Sequence, residues 1–231
     1  MSNYIIIGAS SGIGKTLAES LSKSGNQVWG TYNKTKPEES NHIKYHKLNV
    51  LDDQVDMSFV PDTVDGLAYC PGSINLKPFM RIKPEEFIKD YELQLVGAIK
   101  VIQATLGSLK KSPHASVILF STVAVQTGFS FHSQVSSSKG AIEGLTRALA
   151  AELAPDVRFN CIAPSLTNTP LAAKILSNQD RITANNERHP LKRIGEAEDV
   201  ANAASFLLSK DSGWITGQVM PVDGGMSSLR L

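Results

Sequence analysis

The stretch Gly8-Ala9-Ser10-Ser11-Gly12-Ile13-Gly14 joins an apolar run, Tyr4-Ile5-Ile6-Ile7, to a helical pattern over residues 15–24. The apolar run predicts a strand buried on both faces of a parallel sheet, and the leucine spacing that follows predicts an amphipathic helix. Glycines allow the sharp turn between them and, having no side chains, let a diphosphate and the sheet come close. The free N–H groups of the first helical turn then face the phosphates. A glycine-rich turn without a ligand is the alternative, but this strand–turn–helix context favours a dinucleotide site.

The rest of the chain alternates short β-rich runs with helical patterns. Further strands are predicted at residues 27–32, 43–50, 64–70, 117–121, 157–163 and 218–222, and further helices at residues 85–109, 136–153 and 200–208. Such alternation is typical of βαβ units with right-handed crossovers. We therefore predict a single α/β domain over residues 1–231, a doubly wound parallel sheet of about seven strands with helices on both faces.

Two connections between the predicted elements stand out. Residues 51–65 are too short and too rich in aspartate to predict a good helix. Residues 166–195 are long and polar, which predicts a mobile lid over a site. Within that segment, Arg181, Arg188 and Lys192 are candidates for binding a carboxylate or phosphate of a substrate.

The composition excludes several classes of function. A net charge of +1 over 231 residues gives no general attraction to nucleic acid or to anionic membranes. The two cysteines, Cys70 and Cys161, form no CxxC pair, so we expect a reduced, cytoplasmic protein. The N-terminal apolar run is far shorter than the roughly 20 residues of a membrane span. His42 and His46 fall in a predicted strand, where four steps cover roughly 13 Å, so we expect no metal site.

Several further motifs resemble those of the short-chain dehydrogenase/reductase family. As in that family, three residues separate the first two glycines of the turn. Ser138-Lys139-Gly140-Ala141 is similar to the end of the family's Tyr-x-x-x-Lys helix; the other matching segments are residues 160–164 with Thr169, and residues 189–195, 206–209, 215–218 and 222–225. The pattern most resembles the 3-oxoacyl-carrier-protein reductase branch. The resemblance implies a Rossmann fold, a nicotinamide cofactor, a small carbonyl or alcohol substrate, and a homodimer or homotetramer paired through the two long helices.

The residues after the second predicted strand indicate which dinucleotide binds. An acidic residue there would select NAD, but the sequence reads Thr31-Tyr32-Asn33-Lys34. Lys34 is a candidate for the 2′-phosphate of NADP, with hydrogen bonds from Ser11 and Asn33; a solvated surface lysine is the alternative. We predict NADP, with NAD as the alternative. The resemblance places further residues on the cofactor: Asn49, Val50, Cys70, Pro71, Gly72, Lys139, Pro164, Thr167 and Thr169. Of these, Cys70-Pro71-Gly72 stands where the family has Asn-Ala-Gly.

The catalytic pattern of the family is incomplete in this sequence. Family members use a tyrosine acid/base, a lysine four residues later that lowers the phenol pKa, an earlier serine, and an asparagine on the preceding helix. Lys139 is present, but Val135 stands at the tyrosine position, Thr122 at the serine position and Gln94 at the asparagine position. Because valine has no proton to give, the usual proton relay cannot pass through residue 135.

Two interpretations follow from this departure. In the first, the protein is a divergent oxidoreductase in which another group supplies the proton. His132 is the best candidate, because it directly precedes the helix that carries Lys139 and imidazole titrates near neutral pH; Tyr91 is a weaker one. In the second, the protein binds the dinucleotide as a sensor or scaffold without catalysis, and Lys139 holds the nicotinamide ribose. A purely structural role for Lys139 is a further alternative. We favour the first interpretation, because the cofactor motifs and the lid are all present.

Overall fold

Seven parallel strands form the central sheet of the computed structural model, which describes residues 1–38 and 42–230. The strands are β1 (Asn3–Ile7), β2 (Gln27–Tyr32), β3 (Ile43–Lys47), β4 (Gly66–Tyr69), β5 (Ser116–Phe120), β6 (Arg158–Pro164) and β9 (Val219–Val222), while β7 (Thr167–Asn168) and β8 (Gly195–Glu196) pair separately. Their spatial order is β3-β2-β1-β4-β5-β6-β9. Ile5, Ile6 and Ile7 are each at most 1% exposed, as expected for a parallel strand that is covered on both faces.

Helices cover both faces of this sheet. They are α1 (Gly12–Lys23), α2 (Pro84–Tyr91), α3 (Gly97–Leu109), α4 (Ala124–Thr127), α5 (Ser133–Leu153), α6 (Gln179–Arg188) and α7 (Ala197–Leu208). Short 3-10 turns lie at Phe79–Arg81, Pro170–Ala172 and Lys210–Ser212. The apolar side chains of α3 and α5 pack on one face of the sheet, and those of α1 and α7 pack on the other. The predicted doubly wound α/β fold is therefore confirmed.

Most predicted elements lie where the sequence places them, with shifts at their ends. The helix after the glycine-rich turn begins at Gly12, three residues before the predicted start, so the turn itself supplies the first helical residues. β3 ends at Lys47 rather than at residue 50. Residues 51–65, all of which are described, contain neither helix nor strand, as predicted. The predicted lid contains the helix α6, whose residues are all at least partly exposed. In the part of the chain that the structure describes, no helix is long and apolar enough to cross a membrane.

The prediction of one continuous helix over residues 85–109 is wrong. A π-helical turn, Glu92–Val96, separates α2 from α3. In a continuous helix over residues 85–109, the apolar spacing puts Phe87, Tyr91 and Leu95 on one face directed at the core, yet these side chains are only half-buried. The buried positions in this region are instead Asp90 and Gln94, followed by the apolar residues of α3. A π-helical turn holds one more residue per turn than an α-helix, so it changes which residues face inward.

The order of the strands reverses between β1 and β4, which are neighbours in the sheet. In a doubly wound sheet, the ligand crevice lies outside the carboxyl ends of the strands at such a reversal. The glycine-rich turn follows β1, and Cys70-Pro71-Gly72 follows β4. These two segments touch, because a Cβ atom on Gly8 would lie 3.3 Å from Pro71 Cδ. The fold thus brings two of the predicted cofactor segments to one crevice.

Candidate functional site

A cavity of about 280 Å³ lies at the carboxyl edge of the sheet. Its walls come from the segments that follow β1, β4, β5 and β6, from α5, and from the lid. The predicted site residues that line it are Ile13, Cys70, Gly72, Gln94, Thr122, His132, Lys139, Pro164, Thr167 and Thr169. The fold therefore assembles all four predicted catalytic positions and part of the predicted cofactor site around one space.

The glycine-rich turn has a backbone that only glycine accommodates easily. Gly8 and Gly12 have φ angles of +80° and +52°, in the left-handed region. A Cβ atom on Gly14 would lie 2.3 Å from the carbonyl oxygen of Gly8, a distance that no side chain could tolerate. The turn is anchored to β2, because the Gly8 amide donates to Thr31 Oγ1 at 3.0 Å. Any side chain at Gly14 would therefore push the turn out of place.

The first turn of α1 is free to receive an anion. Ser11 is its N-cap residue, but the Ser11 side chain makes no capping hydrogen bond, and the first turn contains no acidic residue. Backbone N–H groups at such a helix start carry partial positive charge and bind phosphates. The lid begins close by, since a Cβ atom on Gly12 would lie 3.4 Å from Thr169 Cβ. These features fit the diphosphate of a dinucleotide.

Lys139 lies on α5 at the wall of the cavity. Burial lowers the pKa of its ammonium group to about 8, while the nearby acidic groups of Cys161, Asp90 and Cys70 oppose this shift. Within residues 1–38 and 42–230, no side chain or carbonyl group hydrogen-bonds to Lys139 Nζ. A half-buried ammonium group without a partner is well placed to donate to a hydroxyl or phosphate of a bound ligand.

Val135 lies one helical turn before Lys139, lines the same cavity and is 6% exposed. Its side chain presents methyl groups at the position where the resemblance places a phenol. Thr122, at the serine position, also lines the cavity, and its Oγ1 accepts a hydrogen bond of 3.3 Å from the Ala124 amide. The hydroxyl proton of Thr122 therefore remains available to a ligand.

His132 lines the cavity, directly before α5. Its Nδ1 is 2.8 Å from the carbonyl oxygen of Ser130. Because a carbonyl group can only accept, Nδ1 carries the proton. Tyr91, the weaker candidate, is not at the cavity wall: its hydroxyl donates to the Ser137 carbonyl oxygen at 3.1 Å.

Other predicted cofactor residues lie outside this cavity. Asn33 and Lys34 directly follow β2 and are exposed. Asn49 Nδ2 donates to Asp52 Oδ1 at 2.6 Å, and Val50 is buried in the core, where it packs near Gly97. These residues belong to the strand ends beyond the glycine-rich turn, the side of the crevice where the resemblance places the adenosine.

Sequence reasoning missed a buried carboxylate beside Lys139. Asp90 is 4% exposed and lies one turn before Gln94. It accepts hydrogen bonds from Gln94 Nε2 at 2.7 Å, from Ser138 Oγ at 2.5 Å and from the Ser73 hydroxyl. No pattern in the sequence indicates this residue, because a continuous helix over residues 85–109 would turn Phe87, Tyr91 and Leu95 inward rather than Asp90.

A second missed residue ties the lid to the sheet. His189 is 3% exposed, and its Nδ1 is 2.7 Å from the carbonyl oxygen of Asn185, so Nδ1 carries the proton. Its Nε2 lies 2.9 Å from Ser165 Oγ, directly after β6, and therefore accepts the Ser165 hydroxyl proton when the imidazole is neutral. This contact fixes the end of α6 over the cavity.

Of the three basic lid residues, Arg188 alone lines the cavity. Its guanidinium carbon lies 5.8 Å from the centre of the Phe129 ring, a cation–π contact. Arg181 instead donates to the Lys174 carbonyl oxygen at 3.2 Å, and Lys192 pairs with Glu187 at 3.2 Å.

The comparisons with known proteins agree with this arrangement. Residues 8–227 match the family model described as enoyl-(acyl carrier protein) reductase. The chain belongs to the short-chain dehydrogenase/reductase family. A tropinone reductase homolog of Arabidopsis thaliana is 32% identical, with 96% of this chain and 91% of that protein covered. A 3-oxoacyl-[acyl-carrier-protein] reductase of Aquifex aeolicus is 30% identical, with 96% of each chain covered. Among solved structures, ElxO with NADP bound is similar with a TM-score of 0.90 and 25% identity over 99% of both chains.

Membership of this family confirms the resemblance and supports a nicotinamide-dependent dehydrogenase or reductase. The names of the relatives refer to different compounds, among them tropinone and 3-oxoacyl-[acyl-carrier-protein]. The family therefore identifies the class of chemistry and the kind of cofactor, and leaves the substrate to be argued from the cavity.

Proposed function

We propose that this protein is an NADP-dependent oxidoreductase that interconverts a small carbonyl compound and its alcohol with a proton donor other than tyrosine. The observation that carries the proposal is the unpartnered Lys139 ammonium group in a cavity beside an uncapped, glycine-rich helix start. When bound, the nicotinamide would exchange a hydride with the substrate. Lys139 would hold the ribose hydroxyls of the cofactor, and the Thr122 hydroxyl would orient the reacting oxygen.

The choice of NADP rests on the end of β2. The exposed Lys34 ammonium and the Asn33 amide directly follow this strand, and no acidic side chain stands there to repel a 2′-phosphate. Ser11, whose hydroxyl caps nothing, adds a hydrogen-bond donor from the neighbouring turn. Replacing Lys34 by glutamate should reverse the preference, and the ratio of the Kd values for NADPH and NADH measures it. An unchanged ratio would remove Lys34 from the cofactor site.

His132 is the proposed proton donor. The Ser130 carbonyl oxygen accepts from Nδ1 and holds the ring in one tautomer. A T-shaped contact with Phe129, at 5.5 Å between ring centres, further restricts the imidazole. A positioned imidazole contributes about 100-fold or more to a proton transfer. The hydroxyl proton of Tyr91 is already donated to a backbone carbonyl, so His132 is the better supported of the two.

The cavity walls indicate what the substrate carries. Ile74, Leu76, Leu171, Ile175 and Met226 give it an apolar lining. Arg188 lies at the same wall, and its guanidinium group has no hydrogen-bonded partner in the described parts of the chain. We propose an apolar carbonyl compound with an anionic group that pairs with Arg188. Arg188→Gln should weaken turnover of a keto acid more than that of its methyl ester. Arg181→Gln, on the same helix but bonded to Lys174, is the matched control.

One observation favours the alternative, a dinucleotide-binding protein without catalysis. Val135 closes the cavity wall with methyl groups at the tyrosine position, while Lys139 could still hold the ribose without a phenol. NADPH oxidation across a panel of aldehydes, ketones and keto acids separates the two functions. Turnover that Lys139→Ala abolishes supports the oxidoreductase. NADPH binding without turnover of any compound supports the sensor or scaffold.

The same assay tests the proton donor. His132→Ala should lower kcat by about 100-fold. His114→Ala, an exposed histidine in the loop before β5, is the matched control and should leave kcat unchanged. Full activity of the His132→Ala variant would exclude His132 as the donor.

A further inference from the structure

Asp90 is a carboxylate in an interior position without a cationic partner. It is 4% exposed, and none of the described lysine or arginine side chains forms an ion pair with it. Burying a carboxylate is costly unless hydrogen bonds replace its water. Here Ser73, Gln94 and Ser138, from three separate segments, all donate to Asp90. Three polar side chains therefore replace the water that would otherwise surround this buried carboxylate.

These contacts determine how the Gln94 amide is oriented. A carboxylate oxygen only accepts, so the atom at 2.7 Å from Asp90 Oδ2 is the amide nitrogen. The same nitrogen donates to Ser138 Oγ at 3.0 Å, which leaves the Ser138 hydroxyl proton for Asp90. The Gln94 oxygen therefore points away from Asp90. It is fully buried and has no hydrogen-bond donor within the described residues.

Two unpartnered groups lie near Gly72: the side-chain oxygen of Gln94 and the ammonium group of Lys139. A Cβ atom on Gly72 would lie 3.5 Å from Gln94 Oε1 and 3.7 Å from Lys139 Nζ. Gln94, Gly72 and Lys139 all line the cavity. An acceptor and a cationic donor thus face one place in the site, and Asp90 lies directly behind the acceptor.

We propose that Asp90 is a positioning residue of the active site, which aims the carbonyl oxygen of Gln94 at the Lys139 side of the cavity and places a negative charge behind that oxygen. This inference rests on the proposed function only in that Lys139 binds the cofactor. The two effects of Asp90 are separable, because one depends on its hydrogen-bond acceptors and the other on its negative charge.

Asp90→Asn removes the charge and can retain the contacts. The asparagine oxygen can still accept from Gln94 and Ser138, while its amide group donates to Ser73 Oγ. Asp90→Val removes both the charge and the acceptors, so the Gln94 amide loses its fixed orientation. Asp62→Asn, at an exposed aspartate paired with Lys111, is the matched control for loss of a carboxylate.

The first measurement is the affinity for NADPH as a function of pH, by fluorescence titration from about pH 6 to about pH 10. Binding should weaken as Lys139 loses its proton. In Asp90→Asn the midpoint should move to lower pH, because an attracting charge is lost. Asp62→Asn should leave it unchanged. A midpoint that Asp90→Asn does not move would overturn the electrostatic part of the proposal.

The second measurement needs no cofactor, so it remains informative if the proposed function fails. It compares the unfolding free energies of the native chain and the Lys139→Met variant over a range of pH. Their difference changes in the pH range where Lys139 gains or loses its proton in the folded protein. Repeating this comparison in the Asp90→Asn background should move the change to lower pH. If the difference depends on pH in the same way in the native and the Asp90→Asn backgrounds, Asp90 does not act on Lys139. This conclusion holds whether or not the protein binds NADPH.

Kinetics test the positioning part. Asp90→Val should lower kcat by about 10-fold beyond the effect of Asp90→Asn, with little change in the KM for NADPH. Ser138→Ala, which removes one donor but keeps the charge, should retain the pH midpoint of the native protein. Equal kcat values for Asp90→Val and Asp90→Asn would show that the orientation of Gln94 does not matter to the reaction.

Discussion

At the scale of single residues, Val135 stands at the position where the resemblance to the family places a tyrosine. Its side chain lies at the cavity wall, one helical turn from the Lys139 ammonium group. A tyrosine at this position would project its phenol into the cavity, where the nearby positive charge would lower the phenol pKa.

We therefore predict that, in the His132→Ala background, where the proposed donor is absent, Val135→Tyr increases the rate of ketone reduction by NADPH by about 100-fold, the usual scale of a positioned acid. Single-turnover measurements of NADPH oxidation give the rate of the chemical step. Val135→Phe has the same bulk without a hydroxyl and should give no increase. If the phenylalanine variant gains as much as the tyrosine variant, cavity shape rather than a missing proton limits the rate.

Lys139 should also affect the dependence of stability on pH. Burial lowers its pKa to about 8 in the folded protein, whereas an unfolded lysine titrates near pH 10.4. Between these values the unfolded chain binds more protons, so this residue makes the unfolding free energy rise with pH. Below about pH 8, Lys139 is charged in the folded protein, so the free-energy cost of burying its ammonium group is fully present.

Lys139→Met should accordingly stabilise the cofactor-free protein at pH 7, on the order of 2 kcal/mol, and this gain should disappear towards pH 10. Urea unfolding at a series of pH values measures the difference between the two chains. Lys15→Met, at an exposed lysine of α1, should show no such trend. A destabilised Lys139→Met variant at pH 7 would contradict the burial cost.

The residues that could be predicted from sequence were those whose role is local. The glycines of the turn, Lys139 and Val135 each belong to a short motif with fixed spacing, so their positions follow from the nearby chain. Asp90 could not be found in this way. Its partners Ser73 and Ser138 are 17 and 48 residues away in the chain, and only the folded sheet brings them together.

At the scale of elements, the lid helix α6 is the least secured part of the site. No residue between Gln179 and Arg188 is buried, so packing contributes little to its stability. Its N-terminus depends on the Asn178 side chain, which accepts from the Arg181 amide at 2.9 Å. The buried His189 then holds its other end.

Asn178→Ala should destabilise α6 by about 1 kcal/mol, because the cap is lost. Hydrogen exchange of amides 179–188 should become about 5-fold faster, while the global unfolding transition stays unchanged. Ser209→Ala removes a similar cap from the Lys210–Ser212 turn and should leave exchange in α6 unaffected. Equal exchange rates in α6 of both variants would show that its stability comes from elsewhere.

Strand and helix patterns were predictable where one period extended over a whole element. The apolar run of β1 and the alternation of strands and helices identified the sheet and its layers. The helix over residues 85–109 was misjudged because a single 3.6-residue period was extended through it. The π-helical turn at Glu92–Val96 changes that period, and the local apolar pattern does not indicate this turn.

At the scale of the whole molecule, the outer faces of the two long helices are open. A Cβ atom on Gly144 of α5 or on Gly107 of α3 would meet no atom within 4 Å. By resemblance, we expect these helices to pair subunits. A bulky residue at Gly144 should therefore be harmless to one subunit, and even raise its helix propensity by about 1 kcal/mol, but should block a partner.

We predict that the native protein sediments as a dimer or tetramer and that Gly144→Arg shifts it towards the monomer. Sedimentation velocity measures the change, and thermal unfolding shows whether the subunit remains folded. Gln54→Arg, in an exposed loop away from both helices, is the control for added charge. Unchanged assembly in Gly144→Arg would place the subunit contact on another surface.

The extra residue accommodated by Glu92–Val96 makes the site sensitive to chain length rather than only to residue identity. An α-helix advances about 100° per residue, so deleting one codon in this turn would restore a regular helix and rotate everything before it by about that angle. Asp90 would then swing out of the interior while α3 stayed in place. Homologous chains that are one residue shorter or longer in this segment should therefore differ in which side chain lies behind the cavity, even where the remainder of their sequences aligns without gaps.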